Sequence, residues 1–157
     1  MDENSYMEME MVQIKGVDST QRMTKADLAA GAKLIIRERL LTHGDQHAES
    51  GFVVNLNGED SSANVISRSV AKNNSTQVFN AEINGNAKCA GHSECDAIIM
   101  DHAKISAIPK IVANDIDAAL IHEAAIGKIA GEQLIKLMTL GLTEQEAEAQ
   151  IVNGFLK

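Results

Sequence analysis

Residues 51–86 of the chain are GFVVNLNGEDSSANVISRSVAKNNSTQVFNAEINGN, and this stretch contains the pattern that decides the fold. Three short apolar or alternating segments, 51–56, 64–71 and 76–83, are separated by turn-forming Asn, Gly, Asp and Ser residues. The same pattern extends over residues 33–126, with a new segment every ten to fifteen residues. Such spacing predicts a mainly β protein, organised as a sandwich, a barrel or a β-solenoid.

The composition of the core favours the solenoid. Of the 157 residues 45% are apolar, but only Tyr6, Phe52, Phe79 and Phe155 are aromatic and Trp is absent. A β-sandwich usually has aromatic core anchors. In a parallel solenoid each turn stacks on the next, so small aliphatic residues recur inside and Asn, Gly and Ser collect at the corners. The sequence therefore predicts a parallel β-solenoid body over residues 24–126.

The N-terminal segment has a different composition. Residues 1–11, MDENSYMEMEM, carry four acidic residues and no basic one. Such a charged stretch without an amphipathic period predicts a disordered or loosely ordered acidic tail, which we place at residues 1–23. Residues 24–30 follow with a weak N-cap at Thr24, so we expect a short helix there that ends at Gly31.

The C-terminal segment, residues 127–157, has a helical pattern. Residues 129–140 place Leu134, Leu137 and Met138 on one stripe, and Gly141 is suited to a helix C-cap. The tetrapeptide TEQE at 143–146 has capping-box spacing and predicts the start of a second helix. We expect a helical hairpin after the β body.

Charge and hydropathy exclude several classes of function. The net charge of -8 is opposite in sign to that of a protein that binds nucleic acid by counterion release. No apolar run approaches the ~18 residues that a membrane span needs. The N-terminus lacks the pattern of a secretory signal, and the two cysteines do not form a disulfide framework. We expect a cytoplasmic protein with free thiols.

Cys95 and His122 are the residues most able to carry chemistry. They are 27 positions apart, and one turn of a solenoid takes roughly 20 to 30 residues. They are therefore expected on adjacent strands, which lie ~4.8 Å apart. A thiol beside an imidazolium would have a lowered pKa, which favours sulfur or metal chemistry. The alternative is that Cys95 is an ordinary buried core residue and His122 an inert imidazole.

A second local pattern is the C-x2-H-x2-C spacing of Cys89, His92 and Cys95. Thiolate and imidazole are ligands for zinc or iron, but a closed zinc site needs a fourth ligand and an all-cysteine cluster needs four thiolates. A small zinc module through these three residues is therefore a further hypothesis.

Five short motifs in order and at matching spacing resemble the C-terminal portion of the SufB/SufD family. They are ECD at 94–96, LIHEA at 120–124, KI at 128–129, EQL at 132–134 and IVNGF at 151–155. Members of that family are scaffold subunits of the SUF system, which assembles iron–sulfur clusters together with the ABC-type ATPase SufC. The resemblance implies a right-handed parallel β-helix, here truncated, followed by C-terminal helices.

The resemblance also implies roles for individual residues. Cys95 matches the SufB cysteine, His122 matches the histidine at the scaffold's subunit interface, and Glu123 matches its acidic neighbour. All three are thus candidate ligands of a transient iron–sulfur cluster, with Cys95 and His122 as the direct metal ligands. Residues 132–155 look like the region that engages the ATPase.

The sequence departs from the family pattern at several positions. It lacks the upstream cysteine that accepts persulfide sulfur in SufB, and Ile121 stands where SufB has a second Glu. We therefore expect a truncated or accessory scaffold, not an enzyme, that forms a homodimer or pairs with another SufB/SufD-like chain. The alternative is a non-catalytic β-solenoid that dimerises or docks an ABC-type ATPase without binding a cluster.

Overall fold

The structure is a computed structural model that describes residues 1–14 and 18–157. The described residues form strands and two helices in the following order: β1 (Tyr6–Gln13), β2 (Ser19–Leu28), β3 (Lys33–Thr42), β4 (His47–Leu56), β5 (Ser61–Ala71), β6 (Thr76–Gly85), β7 (Cys89–Ile99), β8 (Lys104–Ala113), β9 (Ala119–Gly127), α1 (Gly131–Met138) and α2 (Glu144–Phe155).

Consecutive strands belong to opposite sheets. The five-stranded sheet has the order β1-β3-β5-β7-β9, and the four-stranded sheet has the order β2-β4-β6-β8. Each strand from β1 to β7 pairs in parallel with the strand two positions later along the chain. The chain therefore coils as a β-solenoid, which confirms the predicted fold class.

The corners repeat with each turn. Gly44, Asn73 and Asp101 occupy equivalent corner positions with φ values of 60°, 59° and 56°. Asn and Asp tolerate this left-handed conformation better than most other residues with a side chain. The Gly44 N–H donates to Asn73 Oδ1 (2.9 Å), and the Asn73 N–H donates to Asp101 Oδ2 (2.8 Å) across separations of 29 and 28 residues. These bonds join equivalent corner positions of successive turns, so one turn is 28 or 29 residues long.

The core lies between the two sheets. Alternate residues of each strand point inward, and the largest fully buried side chains include Phe52, Leu28 and Ile36. The rings of Phe52 and Phe79 contact each other with centroids 5.8 Å apart. Most of the remaining core is small and aliphatic, as the composition predicts.

The N-terminal segment differs from the prediction of a loosely ordered tail, because the structure contains β1 and the start of β2 within residues 1–23. Methionine and glutamate alternate along β1, so Met9 and Met11 pack against the core while Glu8 and Glu10 face outward. Glu8 pairs with Arg37 and Glu10 with Arg39 on β3. The acidic residues are therefore neutralised by basic residues one turn away. Residues 15–17 of the predicted tail lie outside the described residues.

The short helix expected at residues 24–30 is also wrong. Residues 24–28 are the end of β2 and pair with residues 52–56 of β4. Asn55 Nδ2 donates to Asp27 Oδ1 (2.7 Å), so the predicted helical Asp27 instead forms part of a ladder between turns. Pairing with the next turn overrides the weak local helix signal.

The C-terminal helices are confirmed. Thr143 caps α2 with the predicted capping box, in which its side chain accepts from the Glu146 N–H and the Glu146 carboxylate accepts from the Thr143 N–H. Val152 and Leu156 pack against Val70 and Met100 of the solenoid. By contrast, none of the residues of α1 is buried. Neither of these helices is both long and apolar enough to cross a membrane.

Candidate functional site

One column of inward-facing side chains runs along the five-stranded sheet to Cys95. In-register pairing aligns Met11, Glu38, Ser67, Cys95 and Ala124 on successive strands. In-register neighbours in a parallel sheet point to the same side. Cys95 is only 1% exposed, so its thiol belongs to the interior of the solenoid.

A charged network lies two strands from Cys95 in this column, with Ser67 between them. Glu38 is 2% exposed and pairs with Arg22. Its carboxylate also accepts hydrogen bonds from the Ser50 hydroxyl (2.5 Å) and the Ser67 hydroxyl (2.7 Å). A buried carboxylate needs such partners, because an unpaired charge in the interior is strongly unfavourable.

The environment of Cys95 raises the pKa of its thiol to about 12, through burial first and then the negative charges of Glu38 and Asp96. The expected lowering of this pKa by His122 is therefore wrong. Burial is the first cause of this shift, and Glu38 adds to it from two strands away through the register of β3, β5 and β7. The free thiol is protonated at neutral pH, so a metal must displace its proton to bind sulfur.

His122 lies on β9, the strand next to Cys95, as the spacing predicts. Its register partner is Ser93, two residues before Cys95, whereas Cys95 itself is aligned with Ala124. His122 Nδ1 and Ser93 Oγ are both buried and have no hydrogen-bond partner within the described part of the chain. An unpartnered imidazole nitrogen and an unpartnered hydroxyl thus share the inner face with the buried thiol, two residues along the strand from it.

The inner face of β8 and β9 is an open end of the described solenoid. Ile111 and Ile126 are aligned with the buried Ile83 and Ala97 of the preceding turn, yet they are 39% and 40% exposed. Among the described strands, β8 and β9 are each the last in their sheet, so one edge of each has no strand beside it. Only the small side chain of Ala124 separates Cys95 from this end in the column.

Glu123 lies on the opposite side of β9 from His122, because successive residues of a strand alternate. It is aligned with Glu94 on β7, and its Oε2 is 3.3 Å from His92 Nε2. Burial and the neighbouring Asp96 raise the pKa of Glu94. Of the three predicted ligands, the structure therefore brings Cys95 and His122 to one face and places Glu123 on the other.

The hypothesis of a zinc module is wrong in this fold. Cys89 and Cys95 both point inward, but six residues of extended strand put them ~20 Å apart. His92 points outward between them and is hydrogen-bonded to Asn64. Burial also raises the pKa of the Cys89 thiol. These three residues cannot share a metal ion.

Sequence reasoning missed Glu38, Ser67 and Ser93, which surround the thiol and imidazole. The spacing contained a usable signal, because Glu38, Ser67 and Cys95 follow each other at the same interval as the corner residues. Residues that lie side by side in a solenoid are found by adding the length of one turn to a residue number, and not by searching for local motifs.

The fold and site define a class: a parallel β-solenoid that holds a buried thiol and an imidazole on one inner face near an open end and continues into two helices. The family model "SUF system FeS cluster assembly, SufBD core domain" matches residues 1–155. The chain therefore belongs to the SufBD family of iron–sulfur cluster assembly proteins.

Curated relatives agree with this assignment. Proteins described as iron-sulfur cluster assembly SufBD family proteins are 35% identical over 127 residues in Methanothermobacter thermautotrophicus and 41% identical over 105 residues in Methanocaldococcus jannaschii. These matches cover 80% and 66% of this chain, but 31% and 33% of the relatives. A relative from Pyrococcus horikoshii is 38% identical over 120 residues, which are 75% of this chain and 27% of the relative. The chain thus spans about a third of the length of the curated relatives it matches.

Proposed function

We propose that the chain acts as a scaffold component that holds an iron–sulfur cluster as cargo during assembly, through Cys95 and His122. The observation that carries the proposal is the placement of both residues on the inner face at the open end, with His122 Nδ1 unpartnered. Thiolate and imidazole are both known ligands of iron in such clusters. The raised pKa of Cys95 supports labile binding, because a proton competes with iron for the sulfur.

Glu123 has a different part in this proposal. It is on the outer side of β9, so we assign it the attraction of iron to the edge strand and not a bond beside Cys95. The net charge of -8 makes the whole surface favourable for cations and unfavourable for nucleic acid. A cytoplasmic location, where thiols stay reduced, fits these roles.

The open end is the proposed interface with a second SufB/SufD-like chain, either a copy of this chain or a relative. Its exposed apolar residues, Ile111 and Ile126, and the free edges of β8 and β9 favour association with another sheet end. Two chains joined there would bring two thiols and two imidazoles to one place, which is enough for four ligands.

The C-terminal helices are the proposed dock for a SufC-like ABC ATPase. Ile135 and Leu140 are 62% and 77% exposed, and a groove beside them is lined by Gln133, Lys136, Leu137 and Ile151. Replacement of Leu140 by Glu is expected to abolish capture of the ATPase. Ile116 is 99% exposed on the turn between β8 and β9, outside both helices, so Ile116→Glu is the matched control and should leave capture intact.

The chain contains two cysteines, Cys89 and Cys95. Neither is assigned the role of the upstream cysteine that accepts persulfide sulfur in SufB. We therefore propose a truncated or accessory scaffold that holds a cluster without itself accepting persulfide sulfur. The alternative role is a non-catalytic interaction module that dimerises or docks the ATPase and binds no cluster. The apolar open end and the unburied α1 support association equally in both cases.

The test is anaerobic reconstitution with iron and sulfide, followed by an absorption spectrum and light scattering. We expect visible charge-transfer bands in a dimer, with loss of the bands in Cys95→Ala and their retention in Cys89→Ala. Cys89 is the matched control, because it is a buried thiol of the same strand with an inward side chain. A colourless dimer in all three proteins would favour the alternative module and overturn the cluster-holding role.

A further inference from the structure

His92, Glu94 and Glu123 form a cluster on the outer face of the five-stranded sheet that the proposed function does not use as a unit. Their side-chain ligand atoms all lie within 4.8 Å of one another. His92 and Glu94 are two residues apart on β7, and Glu123 lies on the neighbouring β9. The rigid sheet therefore fixes all three positions, and no loop contributes a ligand.

A hydrogen bond fixes the orientation of the His92 ring. Its Nδ1 is 3.1 Å from Asn64 Oδ1 on β5, and in the tautomer that carries the proton on Nδ1 the ring donates to this acceptor. The neutral ring then presents the lone pair of Nε2 to the Glu123 carboxylate, at 3.3 Å. Metal-binding histidines are commonly held by such a bond from their second nitrogen.

Two acceptors at this distance repel each other unless a cation lies between them. A second repulsion comes from Glu94 and Glu123, which are direct register partners on adjacent strands. Like charges at such positions destabilise a sheet. A proton on His92 would relieve the first contact, but a metal cation would relieve both.

We propose that His92, Glu94 and Glu123 bind one divalent first-row transition-metal ion on the outer face of the sheet. One imidazole nitrogen and two carboxylate oxygens are ligands that suit Fe(II), Co(II), Mn(II) and Zn(II). Three protein ligands leave further coordination positions open, and His92 borders a groove of about 370 Å³ whose lining also includes Ser62, Gly91 and Ile121. The ion is thus exchangeable with solvent.

This site shares only Glu123 with the proposed cluster role, in which Glu123 attracts iron and forms no bond beside Cys95. The three side chains are on the other side of the sheet from Cys95, and the ion needs no sulfide. A metal titration of Cys95→Ala therefore tests the outer site alone, whereas iron and sulfide reconstitution tests Cys95. Failure of one experiment leaves the other informative.

The chain contains a matched control for the geometry. His47 and Glu49 repeat the His-x-Glu spacing of His92 and Glu94 on the outer face of β4. There, His47 is bonded to Thr76, while Glu49 accepts from Gln21 and Asn80, and the described residues place no third metal-ligating side chain beside them. Removal of Glu49 should not affect metal binding.

The experiment is an anaerobic Co²⁺ titration of the full chain, followed by visible absorption and calorimetry. We expect one Co²⁺ per chain in the wild type and in Cys95→Ala, at least a tenfold loss of affinity in Glu94→Gln and Glu123→Gln, and no change in Glu49→Gln. Asn64→Ala should weaken binding 10- to 100-fold, because the ring loses its orientation. Circular dichroism confirms that each variant is folded.

Three results would overturn the proposal. The first is the absence of saturable binding, which would leave only a proton between His92 and Glu123. The second is binding that is unchanged in Glu94→Gln. The third is binding that is lost in Cys95→Ala. The last result would transfer the ion to the inner face.

Discussion

Because the pKa of Cys95 is raised, the free energy of unfolding depends on pH in the alkaline range. The thiol has a pKa of about 12 in the folded chain, against an ordinary value of 9.0. Between these values the folded chain keeps the proton that the unfolded chain releases. The contribution is therefore fully present below pH 9 and is lost as the pH rises towards 12.

The size of the effect follows from the two pKa values. Each unit of difference is worth ~1.4 kcal/mol, so the loss from Cys95 alone is about 1 kcal/mol at pH 10 and about 3 kcal/mol at pH 11. Since the side chain is 1% exposed, solvent does not screen the cause of the shift. Loss of 3 kcal/mol is a large part of the stability of an ordinary domain.

The assay is urea unfolding under reducing conditions at several pH values from 7 to 11, for the wild type and Cys95→Ala. Other groups also titrate in this range, so the quantity of interest is the difference between the two proteins. At pH 7, Cys95→Ala should have a lower free energy of unfolding than the wild type, because it loses packing contacts. This difference between the two proteins should shrink as the pH rises. Burial raises the pKa of the Cys89 thiol as well, so Cys89→Ala should change in the same direction, without the contributions of Glu38 and Asp96. A difference between wild type and Cys95→Ala that stays constant from pH 8 to pH 11 would refute the account of the Cys95 environment.

Three further predictions concern the scaffold around the site. Arg22→Met leaves the buried Glu38 without its cation and should cost about 3 kcal/mol in urea unfolding, whereas the double variant with Glu38→Leu should recover most of that loss; equal or greater loss in the double variant would show that the pair is not coupled. Gly58→Ala should destabilise strongly, because a Cβ there would lie 2.0 Å from a backbone nitrogen of the preceding turn, while Gly127→Ala, with no atom within 4 Å, should leave the melting temperature almost unchanged. Thr143→Ala removes the capping box and should cost ~1 kcal/mol of stability, with a loss of helical circular dichroism that Thr143→Ser largely restores.

Much of the fold could be predicted from the sequence because its determinants are local. Turn residues such as Asn73 and Asp101 mark each corner, and the capping box at Thr143 marks the start of α2. The N-terminal strand could not be recognised in this way. Glu8 and Glu10 look like part of a solvated tail until Arg37 and Arg39 are placed beside them by the register of β1 and β3. The division of the chain into domains stays a prediction.

The candidate site was predictable to a similar extent. The spacing of Cys95 and His122 indicated adjacent strands, and the structure places them there with an offset of two residues. The raised pKa of the thiol follows first from burial, which the alternative of an ordinary core cysteine predicts, whereas the added effect of Glu38, two turns away, was not predicted. The position of Glu123 on the face opposite His122 follows from strand alternation alone.

The measurement that tests the central claim most directly is pulsed electron paramagnetic resonance of the reduced, reconstituted protein labelled with ¹⁵N-histidine. If Cys95 and His122 hold the cluster, the spectrum will show hyperfine coupling to a histidine nitrogen. That coupling will disappear in His122→Ala and persist in His92→Asn, while Cys95→Ala will hold no cluster. Coupling that survives in His122→Ala, or a full complement of cluster in Cys95→Ala, would contradict the claim.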